Sequence, residues 1–247
     1  MTTRLRRGKG RLPVDLDEIE EIDDLHRAQK GLIGGDPYKR HANNPLVPPE
    51  PEPWFCVAQA SPEHWKRLRR FLQEAPVEVE IGAGDGRFIL EWAERHPERH
   101  FLAFEIRPKL VKRIYEGLKA RGLSNLWVCD DDARGVLLDI VPPSTVDVVH
   151  ILMPDPWWKK RQAKRRLISS YMLDVIATVL RPGGIFRFET DVEGFPELVD
   201  ALVERHPAFA PHDSSLGERF ADAPLSSRQR WCVEHGVPIF RRYYRRL

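Results

Sequence analysis

The sequence predicts an α/β fold built on a mostly parallel sheet, and three observations predict it. Val77–Ile81 reads as a strand running into Gly82-Ala83-Gly84-Asp85-Gly86, and the apolar face Phe88, Ile89, Trp92 and Ala93 follows at helical spacing. A strand, a glycine loop and a helix in succession let backbone approach a ligand closely where side chains would obstruct it. Val146–Leu152 is a mostly apolar run, as expected of a parallel strand covered on both faces. Acidic residues recur where such strands end, and open α/β sheets bind ligands at that edge.

The chain has 247 residues, 42% hydrophobic and 31% charged, enough for one sizeable α/β domain with an appendage. Net charge is only +2, so whole-protein charge does not announce a polyanion partner. The distribution is more informative: basic residues cluster at Arg4–Arg11, Lys159–Arg166 and Arg241–Arg246, while Asp15–Asp24 is acidic. Cys56, Cys129 and Cys232 are far apart and odd in number, which excludes a disulfide framework, shows no metal spacing and points to a reducing compartment. His96 and His100 lie four apart but Pro97 interrupts them, so no metal is expected. With no run of about 18 apolar residues and no apolar signal core, the expectation is a soluble, cytoplasmic protein without membrane contact, monomeric or homodimeric.

Residues 1–60 differ from the remainder. A basic arm leads into an acidic segment, Asp15–Lys30, whose apolar residues Leu16, Ile19, Ile22 and Leu25 make a narrow helical stripe. Gly34-Gly35-Asp36-Pro37 is a turn signal and Pro45–Trp54 is proline-rich, so this region reads as an extension, partly disordered or draped on a domain spanning 61–247. A helix over Pro62–Glu74 presents Trp65, Leu68, Phe71 and Leu72 ahead of the first strand.

From there strands and helices alternate. The glycine spacing is G-x-G-x-G, not the G-x-G-x-x-G of dinucleotide sites, and Glu80 just before it is an acid that suits a cationic ligand rather than a phosphate. S-adenosylmethionine, with its sulfonium and amino groups, is such a ligand. A second strand, His100–Ile106, carries Glu105 about 20 residues past the loop, the distance expected of a carboxylate that grips adenosine ribose hydroxyls. Leu110, Val111, Ile114 and Leu118 build a helix closed by Gly122; the strand Leu126–Cys129 then ends in Asp130-Asp131-Asp132-Ala133, where an acid can accept from an adenine amine. Periodicity does not choose among these three aspartates.

After Val146–Leu152 comes the most distinctive stretch, Met153-Pro154-Asp155-Pro156-Trp157-Trp158-Lys159-Lys160-Arg161-Gln162-Ala163-Lys164-Arg165-Arg166. Two prolines around Asp155 stop the strand and leave its carboxylate at the sheet's carboxyl end. Two tryptophans able to stack on a base and a cationic run follow, a combination suited to a nucleic-acid base presented by its phosphate backbone. Ile168, Tyr171, Met172, Val175, Ile176 and Val179 then define a helix that stops at Arg181-Pro182-Gly183-Gly184, before a strand over Ile185–Phe188. Thr190-Asp191 ends that strand, placing Glu80, Glu105, Asp132, Asp155 and Asp191 on one rim. A further helix carries Leu198, Val199, Leu202 and Val203, and Trp231–Val233 with Pro238–Phe240 predicts a closing hairpin.

With Glu80–Gly86, Glu105, Asp132-Ala133, Leu180–Gly184 and Thr190-Asp191 in order, the chain resembles the class I S-adenosylmethionine-dependent methyltransferases. Pro154-Asp155-Pro156-Trp157, Lys159 and Arg161–Arg166 make it similar to the tRNA (guanine-N7)-methyltransferase family. The resemblance covers about 75–205 well and the C-terminal part loosely. It implies a Rossmann-like class I methyltransferase fold, a mostly parallel seven-stranded sheet with helices on both faces, and transfer of a methyl group from S-adenosylmethionine to N7 of a guanosine in tRNA. It further implies that Glu80, Gly82, Gly84, Glu105, Asp132, Ala133 and Asp155 line the cofactor site and that Asp155 is the catalytic residue. Lys159, Asp191, Ser226 and Gln229 fall at its substrate positions, and Arg161, Lys164, Arg165 and Arg166 at its RNA-binding ones.

Three positions depart from the family pattern. Met153 stands where phenylalanine is usual, and Gln162 where histidine is frequent. Ser226-Ser227-Arg228-Gln229 stands where threonine-x-x-glutamate holds the guanine. An amide is a weaker partner than a carboxylate for guanine N1–H and the N2 amine, so Gln229→Glu is expected to keep or raise turnover. The competing readings are methylation of an exocyclic amine on another base, methylation of a small molecule, and a non-catalytic RNA-binding protein that retains the cofactor pocket.

Overall fold

The computed structural model describes residues 52–57 and 59–247, with the side chains of Lys160, Ala163 and Lys164 left aside. The basic arm, the Asp15–Lys30 helix and the Gly34–Pro37 turn expected from sequence lie outside the described residues. A seven-stranded sheet carries the fold. In chain order its strands are β1 (Trp54–Phe55), β2 (Val77–Ile81), β3 (His100–Phe104), β4 (Leu126–Cys129), β5 (Val146–Leu152), β6 (Leu180–Thr190) and β7 (Phe240–Arg245). In space they run β1-β4-β3-β2-β5-β6-β7, all parallel except β7, which is antiparallel to β6.

The helices are α1 (Pro62–Glu74), α2 (Arg87–Arg95), α3 (Pro108–Arg121), α4 (Ala133–Ile140), α5 (Ser170–Val179), α6 (Phe195–Glu204) and α7 (Ser227–Glu234). Leu68 and Phe71 of α1, Val136 and Leu137 of α4, Met172 and Ile176 of α5, and Leu198 and Val199 of α6 pack one face of the sheet. Phe88, Ile89 and Trp92 of α2 and Val111, Ile114 and Leu118 of α3 pack the other. Each strand between them is buried on both sides, which accounts for the near-absence of alternation in Val146–Leu152.

Two sequence expectations are corrected here. Residues 231–233 lie on α7, so the tail supplies one antiparallel strand rather than a hairpin. The outer edge of that strand is covered instead by the segment after α6, where Ala210 N–H donates to Arg245 O (2.9 Å) and Asp213 N–H to Tyr243 O (3.0 Å). Arg181–Gly184 does not end before a separate strand: β6 pairs with Val146 at Leu180 and resumes at Ile185, so the proline–glycine segment is a bulge within it. At the opposite edge, Trp54–Phe55 pairs with Val128–Cys129, and both side chains are buried.

Candidate active site

The carboxyl rim of β2, β3, β4, β5 and β6 is where the predicted acids meet. Gly82, Gly84 and Gly86 have φ of 83°, 60° and 78°, the left-handed region that glycine occupies without a Cβ penalty. A Cβ at Gly82 or Gly84 would have no atom within 4 Å, so the loop opens onto free space and forms a cradle. Its floor is tied to β3: Gly82 and Ala83 N–H donate to Phe104 O, at 2.8 and 2.9 Å. Gly84 N–H donates to Glu105 Oε2 at 2.9 Å, placing the acid 21 residues on against the loop itself.

Glu105 is buried and chelated by Arg107, whose Nε reaches Oε1 at 2.9 Å and Nη2 reaches Oε2 at 3.0 Å. The bond to Glu105 raises the Arg107 pKa, and the charges of Asp155 and Asp85 add to the rise. Asp132 caps α4 and is held in the same manner by Arg134, with Nε to Oδ1 at 2.9 Å. Among the three consecutive aspartates it is the one that reaches the surface, since Asp130 and Asp131 are fully buried and Asp131 accepts from Val57 N–H at 2.7 Å. Ala133 opens α4 beside it and is buried.

Glu80 is buried, and among the described residues its Oε2 has no hydrogen-bond partner. Burial pushes its carboxyl up to about 8, Arg187 pulls the other way, and Glu105 and Asp85 add to the rise. A buried acid short of a partner beside an open glycine cradle fits a ligand that brings positive charge. These residues fit S-adenosylmethionine: the cradle takes the backbone approach, Glu105 and Asp132 offer carboxylates at successive strand ends, and Glu80 faces cationic groups.

Asp155 projects from the turn after β5 and is exposed. Met153 and Trp157 on either side have φ of 56° and 46°, unusual for residues with a Cβ, and Met153 N–H donates to Glu189 O at 2.7 Å. Such backbone persists only where surrounding structure determines it, as at functional turns. Lys160–Arg165 forms a 3₁₀ turn, and Lys159, Arg161 and Arg165 along this stretch are exposed; Arg165 lies over the Trp157 ring at 5.1 Å.

The match to a family model described as "Putative methyltransferase" spans residues 74–240. Among curated proteins, the tRNA (guanine-N(7)-)-methyltransferase of Myxococcus xanthus (strain DK1622) is 34% identical over 200 residues, covering 81% of this chain and 96% of that one. The chain belongs to the tRNA (guanine-N7)-methyltransferase family. A protein of the same name from Synechococcus sp. is 33% identical over 219 residues, covering 88% of this chain and 87% of its own. In fold, the chain is similar to the crystal structure of the 16S rRNA methyltransferase KamB, with a TM-score of 0.53 at 20% identity over 76% of this chain and 94% of that one.

Against the pattern of that family, three expected site residues are placed differently. Arg166 is buried, with Nε donating to Trp157 O (3.1 Å) and Nη2 to Trp158 O (3.2 Å), so it braces the turn from within. Trp158 packs edge-on against Phe195 at 5.1 Å as part of the core margin, which leaves Trp157 as the outer tryptophan. Gln229 is only 1% exposed; Oε1 accepts from Ser226 N–H (2.8 Å) and Nε2 donates to Glu189 Oε2 (2.6 Å). Ser226 and Gln229 form a capping box at the start of α7, a motif that S-x-x-Q signals in any sequence. Lys164 is not described at side-chain level.

The first turn of α7 also binds two other rim acids. Ser227 Oγ donates to Asp85 Oδ2 at 2.7 Å, and Arg228 Nη2 reaches Asp191 Oδ2 at 2.5 Å. Three successive residues therefore attach to Asp85 of the glycine loop, Asp191 beyond β6 and Glu189 within it. Glu189 was missed at the sequence level although Arg187 stands two residues before it on the same strand face; Arg187 Nε donates to it at 2.7 Å.

Proposed function

We propose that this chain transfers a methyl group from S-adenosylmethionine to N7 of a guanosine in tRNA. The observation that carries the reading is Asp155: an exposed carboxylate at the carboxyl end of β5, on a turn whose Met153 and Trp157 hold positive φ, followed by an exposed cationic turn. The cofactor supplies a methyl group on a cationic sulfur. Guanine N7 has an in-plane lone pair and no proton, so no general base is required; catalysis rests on alignment and on stabilising the cationic purine that forms.

Asp155 orients the base and offsets its developing charge. Asp191 lies on the same rim, and its present partner Arg228 is half exposed, so a base or phosphate can take either member of that pair. Lys159, Arg161 and Arg165 hold the backbone that delivers the guanosine. Incubation with tRNA and labelled cofactor, followed by mass analysis of nucleosides, is expected to give 7-methylguanosine, and borohydride–aniline scission locates it. Label in a methylated adenine or cytosine, or none in RNA, sinks the assignment.

A further inference from the structure

A second cationic feature lies away from the rim acids. Between α1 and α4 is a cleft of about 1000 Å³. Lys66, Arg69 and Arg70 of α1 line it above a floor that includes Val57 and Trp65, with Asp139 of α4 on the far wall. Positions 66, 69 and 70 share one helix face, and all three side chains are exposed. Among the described residues, Lys66 approaches the carboxylate of Glu63 alone, at 3.9 Å, with both groups largely in solvent. Among the described residues, Arg69 and Arg70 pair with no carboxylate; Arg69 lies 5.9 Å from the Trp65 ring. Some arginines elsewhere do meet a carboxylate, as Arg99 meets Asp147, Arg121 meets Glu94 and Arg242 meets Asp200. Among the described lining residues, three cations face one carboxylate, so the cleft carries net positive charge.

Its position ties it to the substrate path. β1 is parallel to β4, so the loop into α1 leaves from the same rim as Asp132. α4 starts at Asp132, and Arg134 on its first turn donates to Arg166 O in the cationic turn, at 3.1 Å. One short helix therefore separates the cleft from the turn carrying Arg161 and Arg165.

We propose that this cleft binds a stretch of tRNA phosphodiester backbone outside the nucleotide that reaches Asp155. The inference rests on tRNA being the substrate. Clustered cations without carboxylate partners gain most from a polyanion, because each phosphate neutralised releases condensed counterions.

The test is tRNA affinity as a function of salt for the full chain and for the triple variant Lys66→Gln, Arg69→Gln, Arg70→Gln. The wild-type log–log slope is expected to flatten by about 2 in the variant, at roughly 0.7–0.9 for each phosphate no longer neutralised. Cofactor affinity, melting temperature and turnover at saturating tRNA should stay unchanged. The double variant Arg69→Lys, Arg70→Lys, which keeps all three positive charges, should keep the wild-type slope. An unchanged slope in the glutamine variant, with wild-type tRNA binding intact, overturns the site alone. Wild-type protein that binds no tRNA overturns the functional reading as well. A variant that binds tRNA more tightly would assign the cleft to the chain's own acidic segment Asp15–Asp24 and overturn the proposal.

Discussion

The amide of Gln229 donates to Glu189 Oε2 across 2.6 Å, in a place closed to water. Gln229→Glu would set a second carboxylate against the first, with Arg241 and Arg187 already engaged on Glu189. The expectation from sequence, that the substitution keeps or raises turnover, is therefore reversed. Losing the bond and burying an unmatched acceptor costs about 1–3 kcal/mol, read as a lower melting temperature and reduced activity. Adding Glu189→Gln restores a neutral-to-charged pair, so the double variant should recover most of the loss in a mutant cycle.

Glu80 gives the protein a pH signature. The unfolded chain releases this proton near the ordinary value of 4.5, whereas the folded chain holds it to about 8. Between these values the folded state binds more protons, so this group lowers stability as pH rises through the window. Glu80→Gln should remove that decline, leaving a flatter stability profile between pH 4.5 and about 8. A cationic ligand beside Glu80 draws the proton off, so cofactor binding should release protons near neutral pH, seen by calorimetry in buffers of different ionisation enthalpy. Equal heats in both buffers would refute this.

Asp155→Asn separates catalysis from folding. The side chain is exposed, and no hydrogen bond to it is present among the described residues, so the melting temperature should not move. Loss of one charge that stabilises the transition state lowers kcat by about 10²-fold or more. A variant with full turnover would place the charge-stabilising group elsewhere.

Arg166 and its exposed neighbours should behave differently. Arg166→Gln loses two bonds to the carbonyls of Trp157 and Trp158 and should loosen the turn, lowering thermal stability by about 1–3 kcal/mol. Arg161→Gln with Arg165→Gln should leave stability alone and reduce the salt slope of tRNA binding by about 1.4–1.8. Reversal of these two patterns would mean that Arg166 is the residue that meets RNA.

The elements from α1 to α5, apart from α4, were legible because their signals are local. Glycine at a strand end, Gly122 after an apolar stripe and proline after Leu152 each act within a few residues, and the Val77–Ile81, Leu126–Cys129 and Val146–Leu152 strands fall on their expected bounds. The rim acids were legible because strand ends share one edge. Arg166 was not, since a run of cations carries no mark of which side chain turns inward; only the carbonyls of Trp157 and Trp158 decide it. Gln229 was read through its family position, although its spacing from Ser226 equally spells a helix cap. Glu189 depends on partners from β7 and α7, and such long-range pairing leaves no local periodicity.

Ser227, Arg228 and Gln229 fasten one turn of α7 to the glycine loop and to both sides of the end of β6. The glycine loop and the end of β6 are thereby joined through one helical turn, so under the proposed function a ligand that moves either end acts on the other. Whatever factor tRNA applies to cofactor affinity, cofactor must apply to tRNA affinity. Ser227→Ala, which removes the tie to the glycine loop, should weaken that coupling, read as a smaller effect of S-adenosylmethionine on tRNA affinity.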